Sequence, residues 1–182
     1  MVMIDLITGF LGSGKTTFLK KYAEYLMDQG LHIGILENDF GAINVDMLML
    51  HELRGDQCEL EMIAGGCDAE SHRRRFRTKL ISMRMCGYDR VLVEPSGIYD
   101  VDEFFDVLRE EPLDQWYEIG NVIAILDARL EKNLSQQADY LLASEAANAG
   151  KVILSHADAA TREQCEAVSY THLRAHETPE HL

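Results

Sequence analysis

Residues 2 to 28 pass from an apolar block, VMIDLIT, through a glycine-rich loop, GFLGSGK, into an amphipathic stretch, TTFLKKYAEYLMD. The first block reads as a buried strand and the last as a helix, with glycines that let the backbone turn sharply between them. A strand feeding a helix through a short loop is half of a crossover unit, and such units build parallel sheets. The alternation continues with HIGILE, with RVLVEP followed by VDEFFDVLRE, and with NVIAILD followed by ADYLLASEAAN. Gly30, Gly87 and Gly150 each follow a helical stretch and precede a strand-like one, so each is expected to end a helix in the left-handed conformation. The pattern predicts an α/β domain, a mostly parallel sheet with helices on both faces.

A chain of 182 residues with 47% apolar content suffices for one sizeable core. The net charge of -14 argues against a nucleic-acid partner, which would require a basic surface. No apolar run is long enough to span a membrane, and no basic segment precedes the first one. Cysteines at 58, 67, 86 and 165 form neither a CxxC pair nor a disulfide framework, which predicts a cytoplasmic protein. The domain is expected over residues 1–167. Residues 168–182, VSYTHLRAHETPEHL, lose all apolar periodicity and are read as a non-native tail. His172 and His176 lie four apart there, without the glutamate of an HExxH metal motif.

The loop at 9 to 17, GFLGSGKTT, fits the GxxxxGK[ST] phosphate-binding spacing, and it stands between a strand and a helix as that motif requires. Gly9, Gly12, Ser13 and Gly14 can turn their N–H groups onto a nucleotide's phosphates at the positive end of the helix. Lys15 reaches the β and γ phosphates, Thr16 places a hydroxyl on Mg²⁺, and Thr17 with the amides around it holds the α phosphate. The competing reading, a glycine-rich turn with a chance lysine, leaves the strand-loop-helix context unexplained.

Downstream acids complete the candidate catalytic set of Lys15, Asp39 and Glu94. In VLVEPSGI, Glu94 ends a strand and Gly97 follows three residues later, so the carboxylate can order the Mg²⁺ shell while the glycine N–H meets the γ phosphate. In ENDFG, Asp39 is the candidate for positioning metal or water, and a plain strand exit is the equal alternative.

The blocks ITGFLGSGKTT, ENDFG, GGC and VEPSG, in this order, resemble the CobW-like branch of P-loop GTPases, relatives of the urease and hydrogenase accessory GTPases. The resemblance implies a P-loop NTPase fold, slow GTP hydrolysis with Mg, and a role in metal delivery or cofactor insertion to a metalloprotein client. The family pattern carries a CxCC motif that binds Zn²⁺ or Co²⁺, where this chain reads Cys67-Asp68-Ala69-Glu70. Cys67, Glu70 and His72 offer a mixed metal site in its place. The alternative is a helix start capped by Asp68, with Glu70 at its positive end. The family's [NT]KxD base motif is matched by Ser155, His156 and Asp158. Asp158 can accept the paired guanine donors, whereas His156 stands where a lysine stem covers the base, so both GTP and ATP stay open as ligands.

Three functions fit these residues: a nucleotide-hydrolysing switch of the metal-chaperone type, a regulatory nucleotide-binding module that has lost the metal site, and a small-molecule kinase with HRRRF as phosphate clamp. The basic run HRRRFRTK at 72–79 is expected mainly as a solvated helix face paired with acids.

Overall fold

The structure, a computed structural model of the chain, describes residues 1–39, 45–64, 69–95, 101–129 and 136–173. Its elements run β1 (Val2–Thr8), α1 (Lys15–Asp28), β2 (Ile33–Asp39), α2 (Val45–Leu50), β3 (Cys58–Ala64), α3 (Ala69–Arg84), β4 (Arg90–Pro95), α4 (Val101–Leu108), α5 (Leu113–Trp116), β5 (Tyr117–Asp127), α6 (Gln136–Asn148), β6 (Lys151–Ser155) and α7 (Arg162–Leu173). The strands make one sheet in the order β3-β2-β4-β1-β5-β6, and every pairing is parallel. Helices cover both faces, so the strands read as nearly continuous apolar runs.

Successive strand residues point to opposite faces, and the core divides accordingly. Ile4 and Leu6 of β1 join Val91 and Val93 of β4 against Phe76, Leu80 and Met83 of α3 and Phe104 and Val107 of α4. Ile7 of β1, Ile33 and Ile35 of β2 and Ile123 and Ile125 of β5 face the other way, against Leu19, Ala23 and Leu26 of α1. Phe76, Leu80 and Met83 follow four- and three-residue steps, which hold one side of α3 to the sheet while its basic residues stay outside.

The basic run is paired as expected. Arg73 and Arg77 both meet Glu110, at 2.6 and 3.0 Å, and Lys79 meets Glu61 at 2.7 Å. His72 is turned inward, with Nδ1 3.0 Å from Glu103 Oε1 on α4.

One acid breaks the apolar run of β1. Asp5 is fully buried, and its carboxylate accepts the Asn121 N–H at 2.6 Å and the Tyr22 hydroxyl at 2.8 Å, with Arg90 Nη1 at 3.3 Å. The register between β1 and β5 shifts between Ile4 and Leu6, and a Cβ at Gly120 would strike Asp5 Oδ1. The missing side chain of Gly120 therefore makes the room that the carboxylate fills.

One sequence expectation is corrected. Gly30 and Gly87 take positive φ angles of 81° and 77°, but Gly150 is not left-handed; α6 has already ended at Asn148. α7 runs to Leu173, and Val168 is buried against Leu126 and Leu142. No helix among the described residues is long and apolar enough to cross a membrane.

Candidate functional site

β1 lies between β4 and β5, and the chain leaves it in one direction to reach β2 and returns through β4 to β5 on its other side. In an open parallel sheet, the crevice beyond the strand ends at such a reversal is where ligands bind. Residues 9 to 14 occupy that place. Gly9 has φ 143°, and a Cβ there would collide with the Ile125 carbonyl oxygen on β5, so the loop's first turn admits no side chain. Gly14, with φ 91°, is the N-cap of α1 and offers no capping side chain; the first turn of α1 holds no acid. The N–H groups at the start of α1 are thus left to an anion, as a phosphate requires.

Ser13, Lys15 and Thr16 are all buried at this end of the sheet. Ser13 Oγ has no hydrogen-bond partner, and Lys15 Nζ donates to the Phe10 carbonyl at 3.3 Å. Thr16 Oγ1 donates to Glu94 Oε1 at 2.8 Å, which brings two of the expected Mg²⁺ ligands together from α1 and β4. Thr17 and Gly12 are exposed. Asp39 ends β2 opposite Ala64, and its side chain lies outside the described residues. Gly97, Cys67, Asp68 and His176 lie outside them too, as does the side chain of His172. Glu70 is exposed in the first turn of α3, and among the described residues no group of three His, Cys, Asp or Glu side chains is placed to hold a metal.

At the other side of the loop, His156 follows β6 with φ 53°, and its Cε1 stands 3.9 Å from where a Cβ on Gly14 would be. Its Nδ1 lies 3.2 Å from Asp127 Oδ2 and 3.1 Å from Ser155 Oγ. Asp127 also accepts a two-pronged contact from Arg129, at 3.0 and 2.7 Å. Arg129 holds the Asp127 carboxyl below the usual carboxylate range, with His156 adding to the effect. Asp158 is exposed beyond His156, and its charge acts on Arg129.

Sequence reading missed Glu37, Asp127 and Glu145. Glu37 is buried and directly opposite Glu94 in the β2–β4 register; its two-residue spacing from Ile33 and Ile35 was the available signal. Asp127 ends the run NVIAILD, where an acid at a strand end is unremarkable by itself. Glu145 sits inside an otherwise ordinary helix, yet it is 3% exposed and accepts the Thr8 hydroxyl at 3.0 Å. Burial pushes its carboxyl up to about 7, against the opposing pulls of the Thr8 hydroxyl, Lys15 and the Gly9 N–H.

A family model for the CobW/HypB/UreG nucleotide-binding domain matches residues 3–180. The chain belongs to the CobW/HypB/UreG family. Among curated relatives it is 28% identical to the zinc chaperone YeiR of Escherichia coli K12 over 169 residues, which make up 92% of this chain and 50% of YeiR. It is 29% identical to the zinc chaperone YjiA of the same organism over 172 residues, 87% of this chain and 50% of YjiA. This member of the CobW/HypB/UreG family thus spans about half the length of the curated relatives it matches. The crystal structure of Zn(II)-bound YjiA GTPase from E. coli superposes with a TM-score of 0.55 at 21% identity, covering 92% of this chain and 54% of that one. The likeness of the two structures is one of fold, that of an α/β P-loop NTPase.

Proposed function

We propose that the chain is the nucleotide switch of a metal-chaperone-type GTPase, hydrolysing the γ phosphate slowly and with a metalloprotein as client. The observation that carries this reading is the Thr16–Glu94 hydrogen bond beside the uncapped start of α1. These residues fit a bound Mg²⁺: a hydroxyl and a carboxylate, both buried, are hard oxygen donors already in contact. Mg²⁺ held there would neutralise charge on the β and γ phosphates. Lys15 supplies further positive charge to the same phosphates, and the α1 amides hold them in place. Gly97 is proposed to meet the γ phosphate and Asp39 to orient the attacking water. Asp158 reads guanine, with His156 packed at the loop in the place of a lysine.

The names of the curated relatives support zinc as cargo. The regulatory-module reading is favoured by the loss of cysteines after Cys67 and by His72 being paired to Glu103 rather than turned to a metal. In the clamp of the kinase reading, HRRRF, His72 is engaged by Glu103 and Arg73 by Glu110, which weighs against it. Cys58, Cys86 and Cys165 are free thiols, which supports a cytoplasmic setting.

The test is a calorimetric titration with Mg-GTP and Mg-ATP on the chain and on Lys15→Ala. GTP binding that exceeds ATP binding and disappears in the variant is expected; unchanged binding in Lys15→Ala would refute the reading. A competitive Zn²⁺ titration with and without GTP, compared with Cys67→Ser, separates metal carrier from regulatory module: tight uptake that requires Cys67 marks the carrier.

A further inference from the structure

Glu145 is a buried carboxylate for which the proposed reaction has no task. It reaches from α6 to the end of β1, where Oε1 accepts the Thr8 hydroxyl at 3.0 Å, next to Gly9. Oε2 is buried and meets no donor. Thr8 leads into the phosphate loop and Lys15 closes it, so Glu145 holds the residue before the loop while the charge at the loop's other end acts on it.

An ionised carboxylate sealed from water needs a cation to answer it. The charge of Lys15 acts on Glu145 while Lys15 Nζ itself donates to the Phe10 carbonyl at 3.3 Å, and Lys15 is also the side chain that the β and γ phosphates require. The groups that face Glu145 are Thr8 and Gly9 from β1 and its loop, and Lys15 from α1. On α4, β5 and α7, which also pack on α6, Glu103 pairs with His72, Asp127 with Arg129 and His156, Asp106 with Arg109, and Glu166 with Arg162, while Tyr117 donates to the Leu80 carbonyl.

Resting on the phosphate-loop reading, we propose that Glu145 is a positioning residue that couples nucleotide binding to the uptake of one proton. Ionised, Glu145 competes with the phosphates for Lys15. A proton taken from solvent onto its carboxylate leaves the Thr8 contact in place and releases Lys15 to the nucleotide. The shift of this carboxyl toward neutral pH sets the coupling in the range where the charge changes. Linkage requires the converse: nucleotide bound at the loop favours the protonated form.

Mg-GTP is titrated into the wild-type chain and into Glu145→Gln at about pH 6 and about pH 8.5. The variant keeps an oxygen acceptor for Thr8 and carries no charge. Wild-type affinity is expected to fall about tenfold more than that of Glu145→Gln across this interval; the nucleotide's own titration is common to both proteins. Binding enthalpies near neutral pH, measured in two buffers of different ionisation enthalpy, should report proton uptake by the wild type beyond that of the variant. Parallel pH profiles with equal proton uptake would overturn the coupling while leaving the phosphate-loop reading intact. Absence of GTP and ATP binding in the wild type would overturn both.

Discussion

Thr16 Oγ1 and Glu94 Oε1 meet at 2.8 Å although 78 residues separate them in the chain. The contact joins the first turn of α1 to the end of β4, beside the strand that carries the phosphate loop. Glu94→Gln keeps size and one acceptor but removes the charge proposed to order Mg²⁺. Its GTP affinity should stay within about threefold of wild type while turnover falls about 100-fold or more. Single-turnover phosphate release checks this; unchanged turnover would remove Glu94 from the mechanism.

Gly9→Ala should abolish nucleotide binding. The new Cβ meets the Ile125 carbonyl oxygen, a backbone atom of the sheet that cannot swing aside, and φ 143° disfavours any side chain. A destabilisation of about 2 kcal/mol is expected from the strain alone. Chemical denaturation and GTP titration together measure both effects, and normal affinity with normal stability would contradict the loop geometry.

Asp158→Asn should weaken GTP about tenfold and ATP little, because one acceptor for the paired guanine donors becomes a donor. Asp127→Asn should act more broadly. It loosens His156, held at 3.2 Å, and unpairs Arg129. Competition between the two nucleotides distinguishes these outcomes; equal loss in Asp158→Asn would mean that this residue does not read the base.

The buried Glu145 carboxyl, raised from 4.5 to about 7, links its protonation to stability. Between those pH values the folded chain holds a proton that the unfolded chain has released, so this contribution falls as pH rises from about 4.5 to about 7 and is flat above. Its size is roughly 3 kcal/mol. Glu145→Gln should therefore gain on the wild type as pH rises through this window. Urea midpoints at about pH 5 and about pH 8 test it, and a constant difference between the two proteins would speak against the burial of a titrating group.

Asp5→Ala should cost about 3 to 5 kcal/mol, because it leaves the Arg90 charge without its buried partner and removes the acceptor for Tyr22 and Asn121. Nucleotide affinity of the folded fraction should be unchanged, since Asp5 is the middle residue of β1 and none of its partners Tyr22, Arg90 and Asn121 belongs to the phosphate loop. Thermal unfolding and calorimetry check the two halves of the statement.

The local parts of this site were legible because their chemistry is contiguous in the chain. Strand, glycine loop and helix at 2 to 28 carry their own punctuation, and RVLVEP shows its terminal acid by itself. Glu145 was not legible. Its significance comes from α6 packing under the end of β1, a relation that only tertiary structure creates. Asp5 was hidden differently: in VMIDLIT a single acid looks like a flaw in an apolar run, and its partners Arg90 and Asn121 lie on strands that become neighbours only through crossovers. The helix α7 was obscured because the composition changes within its span. Glu37 is the acid that periodicity alone could have found.

The sheet order has a consequence for how the protein comes into being. β1 precedes the other strands of this sheet in the chain, yet both of its neighbours, β4 and β5, come after β2 and β3. Until Tyr117–Asp127 is available, the strand bearing the phosphate loop lacks one partner, and Gly9 has no Ile125 carbonyl to pack against. Such long-range pairing makes for slow assembly. Affinity for nucleotide is then acquired only once β5 is in place, and the ligand itself serves as a kinetic seal, drawing the later strands of the sheet into a state that only the finished sheet can hold.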